Sequence, residues 1–188
     1  MFDLTGRKAL VTGASGGIGE EIARQLHKQG AIVGLHGTRV EKLEALANSL
    51  GERVHLFPAN LSDRAEVTAL GEKAEADLGG VDILVNNAGI TKDGLFVRMS
   101  DDDWDAVLEV NLTAVFRLTR ELTHPMMRRR FGRIINITSV VGVTGNPGQA
   151  NYCASKAGMS ACRSRSPRRS RRATSRSTAW RPVSSKAR

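Results

Sequence analysis

Five short apolar runs recur along the chain, separated by longer segments of mixed polarity. Each run is rich in β-branched and other aliphatic side chains and lacks the strict alternation of a strand that faces water on one side. Such runs are typical of strands that are buried on both faces of a parallel sheet. The pattern predicts strands at 7–12 (RKALVT), 31–36 (AIVGLH), 53–58 (RVHLFP), 81–86 (VDILVN) and 133–138 (RIINIT).

The segments between these runs carry apolar residues at helical spacing, which predicts amphipathic helices. The predicted helices cover 17–30, 40–51, 63–80 and 101–130. Several of them close with a glycine, as at Gly30, Gly51 and Gly79, where a left-handed cap is expected. This alternation predicts an α/β protein with a doubly wound parallel sheet, a Rossmann fold, whose ligand site lies at the carboxyl ends of the strands.

The net charge of +9 comes entirely from the C-terminal segment. Residues 160–188 contain nine Arg and one Lys without Asp or Glu, which leaves 18 basic and 19 acidic residues in 1–159. The body of the chain therefore gives no sign of nucleic-acid binding. The sequence has no leader pattern and no apolar run of about 18 residues, so we expect a soluble cytoplasmic protein without a membrane partner. The spacing of Cys153 and Cys162 predicts neither a metal site nor a disulfide framework.

A glycine-rich turn, TGASGGIG at 12–19, follows the first predicted strand and opens the first predicted helix. Glycines in this position let backbone N–H groups approach a pyrophosphate, and the helix N-terminus adds partial positive charge. Such a turn is also compatible with simple packing of helix on strand. The spacing of Gly13, Gly17 and Gly19 differs from GxGxxG and resembles the short-chain dehydrogenase/reductase family.

Further motifs of that family are present in the expected order. NNAG at 86–89 ends the fourth predicted strand, where the family uses it to shape the cofactor pocket. Four residues match the family's catalytic tetrad in order and spacing: Asn111, Ser139, Tyr152 and Lys156. Because Tyr152 and Lys156 are four residues apart, they lie on one face of a helix.

The resemblance implies a role for each member of the tetrad. Tyr152 would give its proton to the substrate oxygen, while Lys156 would lower the pKa of that phenol and hold the nicotinamide ribose. Ser139 would hydrogen-bond the substrate carbonyl, and Asn111 would support a proton relay through water. Taken singly, the four have ordinary structural explanations as a packing Tyr, a surface Lys, a capping Ser and a mid-helix Asn. Their joint occurrence favours the catalytic interpretation.

The resemblance also implies a dinucleotide site. Besides Tyr152 and Lys156, it assigns to the cofactor Gly13, Ser15, Gly16, Gly17, Ile18, Gly19, Thr38, Arg39, Asn60, Leu61, Asn87, Ala88 and Gly89. NAD-specific folds place Asp or Glu after the second strand, where this chain has Thr38 and Arg39. A hydroxyl and a cation suit a 2′-phosphate, so we expect NADPH/NADP⁺. Related NADP enzymes often carry Arg where this chain has Gly16, so Arg39 would act alone, unless it is an ordinary solvated helix-start residue.

The stretches 86–99 and 132–159 resemble more closely the bacterial 3-oxoacyl-[acyl-carrier-protein] reductases of fatty acid biosynthesis. This resemblance implies NADPH-dependent reduction of 3-oxoacyl thioesters, a homotetramer, and a contact between acyl carrier protein and Arg130. The basic run 128–130 is otherwise a solvated helix end that complements the macrodipole. Two alternatives stay open: another short-chain dehydrogenase acting on a sugar or secondary alcohol, and a protein that binds the cofactor without catalysis.

The resemblance ends at Met159, so we divide the chain into an incomplete reductase domain, 1–159, and a basic Ser/Arg-rich tail, 160–188. The tail lacks the repeated dipeptides of an arginine-serine domain. Codons can be chosen for it whose shifted frame reads LSKSLAQEIATRNVTVNCVAPGFIESA, with the helix, strand and Pro-Gly turn expected of the family. We therefore predict a one-base frameshift near Ser160, a disordered tail, a sheet truncated before its sixth strand, and impaired activity. The alternative is a functional basic tail that binds nucleic acid.

Overall fold

The computed structural model describes residues 3–162 and 175–180. Its strands are β1 (Lys8–Val11), β2 (Ile32–Gly37), β3 (Val54–Pro58), β4 (Ile83–Asn86), β5 (Gly132–Ile137) and β6 (Ser175–Trp180). Its α-helices are α1 (Gly17–Lys28), α2 (Val40–Leu50), α3 (Arg64–Asp77), α4 (Asp101–Leu108), α5 (Ala114–Arg128), α6 (Val141–Thr144) and α7 (Ala150–Ala161). A 3-10 turn, Phe96–Arg98, precedes α4, and a π-helical turn, Glu109–Thr113, joins α4 to α5.

The strands form one parallel sheet in the order β3-β2-β1-β4-β5-β6. The winding direction reverses between β1 and β4, since β2 follows on one side of β1 and β4 lies on the other. A crevice opens at such a reversal, outside the carboxyl ends of the strands. The predicted α/β class and doubly wound parallel sheet are confirmed, and β1 to β5 begin and end within two residues of the predicted strands.

Two apolar cores, one on each face of the sheet, hold the helices in place. Successive strand residues point to opposite faces, so Leu10 and Leu84 enter one core while Val11 and Val85 enter the other. Helices α3 and α5 cover the first core, and α1 and α2 cover the second. Burial on both faces explains why the strand sequences are continuously apolar rather than alternating.

The glycines that close the first three helices adopt the left-handed backbone that the sequence predicts. The φ angles of Gly30, Gly51 and Gly79 are +96°, +79° and +64°. The predicted helix at 101–130 is instead interrupted by the π-helical turn. The interruption buries the side chain of Asn111, whose hydrogen bonds are formed with residues distant in the sequence.

The end of the sheet requires a correction. The sequence predicts a sheet truncated before its sixth strand, whereas the structure pairs β6 with β5, from Gly132 with Ser175 to Ile137 with Trp180. Parallel pairing is made by backbone N–H and C=O groups, so a segment without an apolar pattern can still add to the open edge of β5. The predicted disorder of the tail concerns mainly 163–174 and 181–188, which lie outside the described residues.

Replacing a buried leucine of α5 tests the first core. Leu122 is fully buried, so Leu122→Ala should lower the free energy of unfolding by about 2–5 kcal/mol. His124, on the same helix, is exposed, and His124→Ala should change this free energy by less than about 0.5 kcal/mol. Urea unfolding followed by helical circular dichroism measures both. Equal effects of the two substitutions would contradict this packing.

Candidate active site

The hydroxyl of Thr12 joins the carboxyl ends of β1 and β4. Its Oγ1 accepts hydrogen bonds from the backbone N–H groups of Asn87 and Ala88, both at 3.0 Å, and donates to the carbonyl of Val85 at 3.2 Å. The Asn87 side-chain amide donates to the carbonyls of Thr12 and Gly13, at 3.0 and 3.3 Å. The glycine-rich turn and the NNAG segment are thereby held against each other at the point where the winding reverses.

Two glycines of the turn are required by close approach of the backbone. Gly13 has φ +67°, and a Cβ there would lie 2.8 Å from Ala88 Cα. A Cβ on Gly19 would lie 2.2 Å from the carbonyl oxygen of Gly13. A Cβ on Gly17, by contrast, would meet nothing within 4 Å, so the backbone there faces open space. The backbone of the turn is therefore closely packed at Gly13 and Gly19 and open at Gly17. This arrangement suits a phosphate group that rests on backbone N–H donors.

A cavity of about 500 Å³ lies above this turn. The structure brings around it every residue assigned to the cofactor from the sequence except Tyr152 and Lys156. The sequence analysis missed five residues that line the same cavity: His36, Gly37, Ala59, Ile90 and Val110. Most of these residues are next to assigned residues in the sequence, and this adjacency could have indicated that they line the cavity. The position of His36 in a strand gave no such signal.

Arg39 reaches the glycine-rich turn from the end of β2. Its Nη2 donates a 2.6 Å hydrogen bond to the carbonyl of Ser15, and it lies 3.9 Å from where a Cβ on Gly16 would stand. A guanidinium group is therefore located beside the turn without any basic residue in the turn itself. Together with the open backbone at Gly17 and the N-terminus of α1, this cation fits a dinucleotide that carries an additional phosphate.

Asn60 shapes the turn between β3 and α3. Its Oδ1 accepts hydrogen bonds from Ser62 N–H at 3.0 Å and Ser62 Oγ at 2.6 Å, while its own N–H donates to Glu66 Oε2 at 2.6 Å. Asp63 then caps α3 by accepting from the N–H groups of residues 65 and 66. These contacts fix the far wall of the cavity, where Leu61 follows.

Ser139, Tyr152 and Lys156 meet at the carboxyl end of β5. The Ser139 side chain hydrogen-bonds Tyr152, and Lys156 Nζ lies 5.6 Å from the centroid of the Tyr152 ring. Lys156 Nζ donates a 3.0 Å hydrogen bond to the carbonyl of Ile137, the last residue of β5. A Cβ on Gly89 would lie 3.6 Å from this Nζ and 3.1 Å from Asn111 Oδ1, so the cavity at Gly89 adjoins the tetrad.

Burial dominates the protonation of the two ionisable tetrad residues. It raises the pKa of Tyr152, and the hydrogen bond from Ser139 offsets this rise only in part. The net shift of the Tyr152 pKa in this structure is therefore upward, with desolvation of the phenol as its largest cause. Burial also lowers the pKa of Lys156 to about 8. Near neutral pH the pair is a protonated phenol beside a mostly protonated amine.

Asn111 is fully buried and uses its amide to join three segments. Its Oδ1 accepts from Ile90 N–H at 2.8 Å, and its Nδ2 donates to the Ile90 carbonyl at 2.9 Å and to Ser155 Oγ at 3.2 Å. Ser155 Oγ in turn donates to the carbonyl of Tyr152 at 2.8 Å. Asn111 thus ties the π-helical turn to the segment after NNAG and to the helix that carries Tyr152 and Lys156.

The loop after β4 forms a wall beside Tyr152. Gly94 N–H donates to the carbonyl of Gly148 at 2.8 Å, and the Asn151 amide donates to the carbonyl of Lys92 at 3.0 Å. The Gln149 amide donates to Asp93 Oδ2 at 2.9 Å. These bonds position the start of α7, and Tyr152 in its first turn is half-buried.

The basic run 128–130 lies far from the tetrad. Arg129 is engaged by Glu75, at 2.6 and 3.0 Å, and by the carbonyl of Val81. Arg130 lies between the end of α5 and the start of β5, whereas Ser139 follows the end of β5. The six residues of this strand span about 20 Å. The structure therefore does not bring Arg130 to the tetrad of its own chain.

Comparison with protein families identifies the architecture. The family model described as short chain dehydrogenase matches residues 7–166. The chain belongs to this family. The proteins of this family are oxidoreductases, and the family binds a nicotinamide cofactor. Across the described residues, no helix combines the length and hydropathy needed to cross a membrane.

Several curated proteins match most of the chain. Nodulation protein G of Rhizobium sp. (strain N33) is 89% identical over 159 residues, and that of Rhizobium meliloti (strain 1021) is 77% identical over 159 residues. The 3-oxoacyl-[acyl-carrier-protein] reductase FabG of Rickettsia bellii (strain RML369-C) is 55% identical over 159 residues. Each match covers 85% of this chain but only 65%, 65% and 64% of the respective relatives. The chain thus spans less than two thirds of the length of these proteins.

Gly17 and Gly19 differ in whether the surrounding structure leaves room for a side chain, and replacing each with alanine tests this difference. Gly19→Ala should lower the melting temperature, because its Cβ would overlap the Gly13 carbonyl oxygen. Gly17→Ala, at the start of the same helix, should leave the melting temperature unchanged or raise it, since the added methyl group meets no atom and alanine favours a helix. Thermal unfolding measures both. A destabilised Gly17→Ala with an undisturbed Gly19→Ala would contradict the described turn.

The buried Lys156 should make stability depend on pH in a defined direction. Its pKa is about 8 in the folded chain and 10.5 as the ordinary value, so the unfolded chain binds more protons between these pH values. Stability contributed by this group therefore rises with pH over that range. The unfolding free energy of the unmodified chain minus that of Lys156→Met should therefore rise by about 3 kcal/mol from pH 8 to 10.5. A difference that stays constant over this range would contradict the burial of a charged amine.

Proposed function

We propose that this chain carries the active site of an NADPH-dependent reductase that converts 3-oxoacyl-[acyl-carrier-protein] to 3-hydroxyacyl-[acyl-carrier-protein]. The observation that carries the proposal is the hydrogen-bonded pair of Ser139 and Tyr152 beside Lys156, whose Nζ lies next to Gly89 in the wall of a cavity suited to a dinucleotide. The 55% identity to a 3-oxoacyl-[acyl-carrier-protein] reductase supports this substrate class. The activity, substrate and partners of the whole protein are part of this proposal.

The tetrad can act as a proton donor to a carbonyl oxygen. A nicotinamide in its reduced form supplies hydride when bound. Tyr152 keeps its proton near neutral pH because burial raises its pKa, so it can serve as a general acid. Ser139, which already hydrogen-bonds Tyr152, is placed to hold the same substrate oxygen. Lys156 supplies positive charge beside the phenol once its proton has left.

Asn111 has a positioning role in this proposal. Its amide hydrogens are engaged by Ile90 and Ser155, and Ser155 is bonded to the carbonyl of Tyr152. These contacts hold α7 so that Tyr152 and Lys156 face the cavity. We also propose for Asn111 the water relay that the family resemblance implies, next to Gly89, where a Cβ would lie 3.1 Å from Asn111 Oδ1.

Arg39 supports NADPH as the cofactor. Thr38 and Arg39, and not a carboxylate, stand directly after β2, and the guanidinium beside Ser15 offers a partner for a 2′-phosphate. Gly16 leaves the space that Arg39 uses, so the absence of an arginine in the turn itself is consistent with this role.

We further propose that acyl carrier protein contacts Arg130 from a site shared between subunits. Within one chain, the length of β5 separates Arg130 from Tyr152. A carrier protein whose substrate reaches Tyr152 of one subunit would therefore contact Arg130 of a neighbouring subunit. Phe116 and Met127 on α5 are 53% and 54% exposed, and apolar side chains of this kind support a homo-oligomer, which we propose is a tetramer. We place this assembly in the cytoplasm.

The tail is proposed to result from a one-base frameshift near Ser160. Codons can be chosen for β6 whose shifted frame reads VTVNCV, an apolar strand sequence at the position where the backbone pairs with β5. A groove between α1 and the sheet is lined by apolar side chains, among them Ile22, Ile135 and Ile137. This open apolar surface supports the proposal that the chain as encoded folds poorly. A functional nucleic-acid-binding tail is the alternative to this frameshift.

The nodulation proteins favour a second candidate role. Their identity to this chain, 89% and 77%, exceeds that of the reductase from Rickettsia bellii, and their name gives a process rather than a reaction. The same tetrad chemistry would then serve nodulation, with a sugar or secondary alcohol as its preferred substrate. Relative rates with 3-oxoacyl thioesters and with small ketones distinguish the two roles.

The cofactor proposal predicts a clear preference. With acetoacetyl thioesters, the reductase should consume NADPH with a kcat/KM at least about tenfold higher than with NADH, because Arg39 binds the 2′-phosphate. Arg39→Ala should lower this ratio about tenfold or more, while Arg64→Ala, a surface arginine of α3, should leave it unchanged. Equal use of both cofactors by the unmodified protein would contradict the cofactor proposal. No turnover of 3-oxoacyl thioesters by the version with the inserted base would contradict the substrate proposal.

The frameshift proposal predicts the effect of one inserted base. An extra base after the Ser160 codon should open a longer frame containing a Pro-Gly turn, and its product should be more soluble and more active than the 188-residue chain. Solubility, thermal melting and NADPH consumption compare the two proteins. A frame that closes without a Pro-Gly turn, or strongly salt-dependent RNA binding that is lost on deleting 160–188, would instead favour a functional tail.

A further inference from the structure

The imidazole of His36 lies inside the wall of the cofactor cavity and belongs to none of the motifs that define the site. His36 is 2% exposed and is the second-last residue of β2. Its neighbours in the strand, Val33 and Leu35, are fully buried apolar side chains. A buried imidazole where the strand otherwise carries aliphatic residues requires hydrogen-bond partners, because an unpaired polar group in the interior is costly.

Both ring nitrogens have such partners, and they belong to different loops. Nδ1 lies 3.3 Å from the backbone nitrogen of Gly13, in the glycine-rich turn after β1. Nε2 lies 3.1 Å from the carbonyl oxygen of Ala59, in the turn between β3 and α3. The ring therefore bridges the two loops that face each other across the cavity.

The partners fix the protonation of the ring. Gly13 N–H can only donate, so Nδ1 accepts, and the Ala59 carbonyl can only accept, so Nε2 carries the proton. A second proton on Nδ1 would face the Gly13 N–H donor. Burial lowers the pKa of His36 to about 4, so this single tautomer persists near neutral pH.

We propose that His36 is a positioning residue that fixes the spacing between the glycine-rich turn and the β3–α3 turn, and so sets the distance between the pyrophosphate site and the adenosine site of the cofactor cavity. The inference rests on the proposed binding of NADP(H). Gly13 adopts φ +67° and lies under the open backbone of the turn, so support at its N–H acts where the pyrophosphate would rest.

The proposed role depends on the His36 side chain, and a substitution can remove it without removing the backbone hydrogen bonds of β2. The backbone bonds from Ala14 N–H to the His36 carbonyl, at 2.8 Å, and from Ala59 N–H to the Gly37 carbonyl, at 3.3 Å, remain with any residue at position 36. Substitution of His36 therefore removes the bridge while leaving the strand connections intact.

The test compares two ligands of different reach. NADPH must engage both loops, whereas adenosine 2′,5′-bisphosphate keeps the adenosine and one 5′-phosphate but lacks the second phosphate of the pyrophosphate and the nicotinamide nucleoside. His36→Leu should weaken NADPH binding about tenfold or more and adenosine 2′,5′-bisphosphate binding by less than about threefold, by fluorescence or calorimetric titration. His55→Leu, an exposed histidine of the edge strand β3, should change neither affinity.

Two partial replacements separate the contacts and remain informative if His36→Leu does not fold. His36→Asn retains an acceptor near the Nδ1 position, whereas His36→Gln retains a donor near the Nε2 position. Because the pyrophosphate rests on the Gly13 side, His36→Asn should bind NADPH more tightly than His36→Gln. Equal affinities of these two variants would overturn the inference.

The remaining outcomes are distinct. A folded His36→Leu that binds NADPH like the unmodified chain, or that loses both ligands to the same extent, would overturn the positioning role. An unmodified chain that binds neither NADPH nor NADH would overturn the proposed function, and this inference with it.

Discussion

The junction between β1 and β4 at Thr12 is the constraint on which the rest of the site depends. One hydroxyl accepts two backbone N–H groups of the NNAG segment and donates to the carbonyl of Val85. This arrangement keeps the two strand ends together at the reversal of winding, where a crevice must open. The tight packing of Gly13 against Ala88 follows from it, and so does the location of Gly89 next to Asn111 and Lys156.

Burial then determines the chemistry that the tetrad can perform. Tyr152 and Lys156 are brought together by α7, and both are shifted toward their neutral forms by loss of water, the phenol upward and the amine downward in pKa. A phenol that keeps its proton suits a step in which a carbonyl oxygen gains one. The tetrad geometry thus supports reduction at this site, within a family shown by its sequence match to be that of the short-chain dehydrogenases.

Much of the fold and the candidate site could be predicted from the sequence, because both depend on local patterns. Strands buried on both faces give continuous apolar runs, and tetrad spacing places Tyr152 and Lys156 on one helix face. The sequence analysis missed features made by distant residues. The bonds of His36 to Gly13 and Ala59 each span 23 residues, and that of Asn111 to Ser155 spans 44. The pairing of β6 was missed because backbone bonding at an open edge leaves no apolar pattern in the sequence.

The central claim is that Tyr152 donates the proton in a reduction that uses bound NADPH. The most direct measurement is a single-turnover assay of Tyr152→Phe with an acetoacetyl thioester, accompanied by NADPH titration, in the 188-residue chain and in the version with the inserted base. The account predicts unchanged NADPH affinity and a reduction rate lowered by about 10²–10⁴-fold in whichever protein is active. A variant that reduces the thioester at the unmodified rate would contradict it.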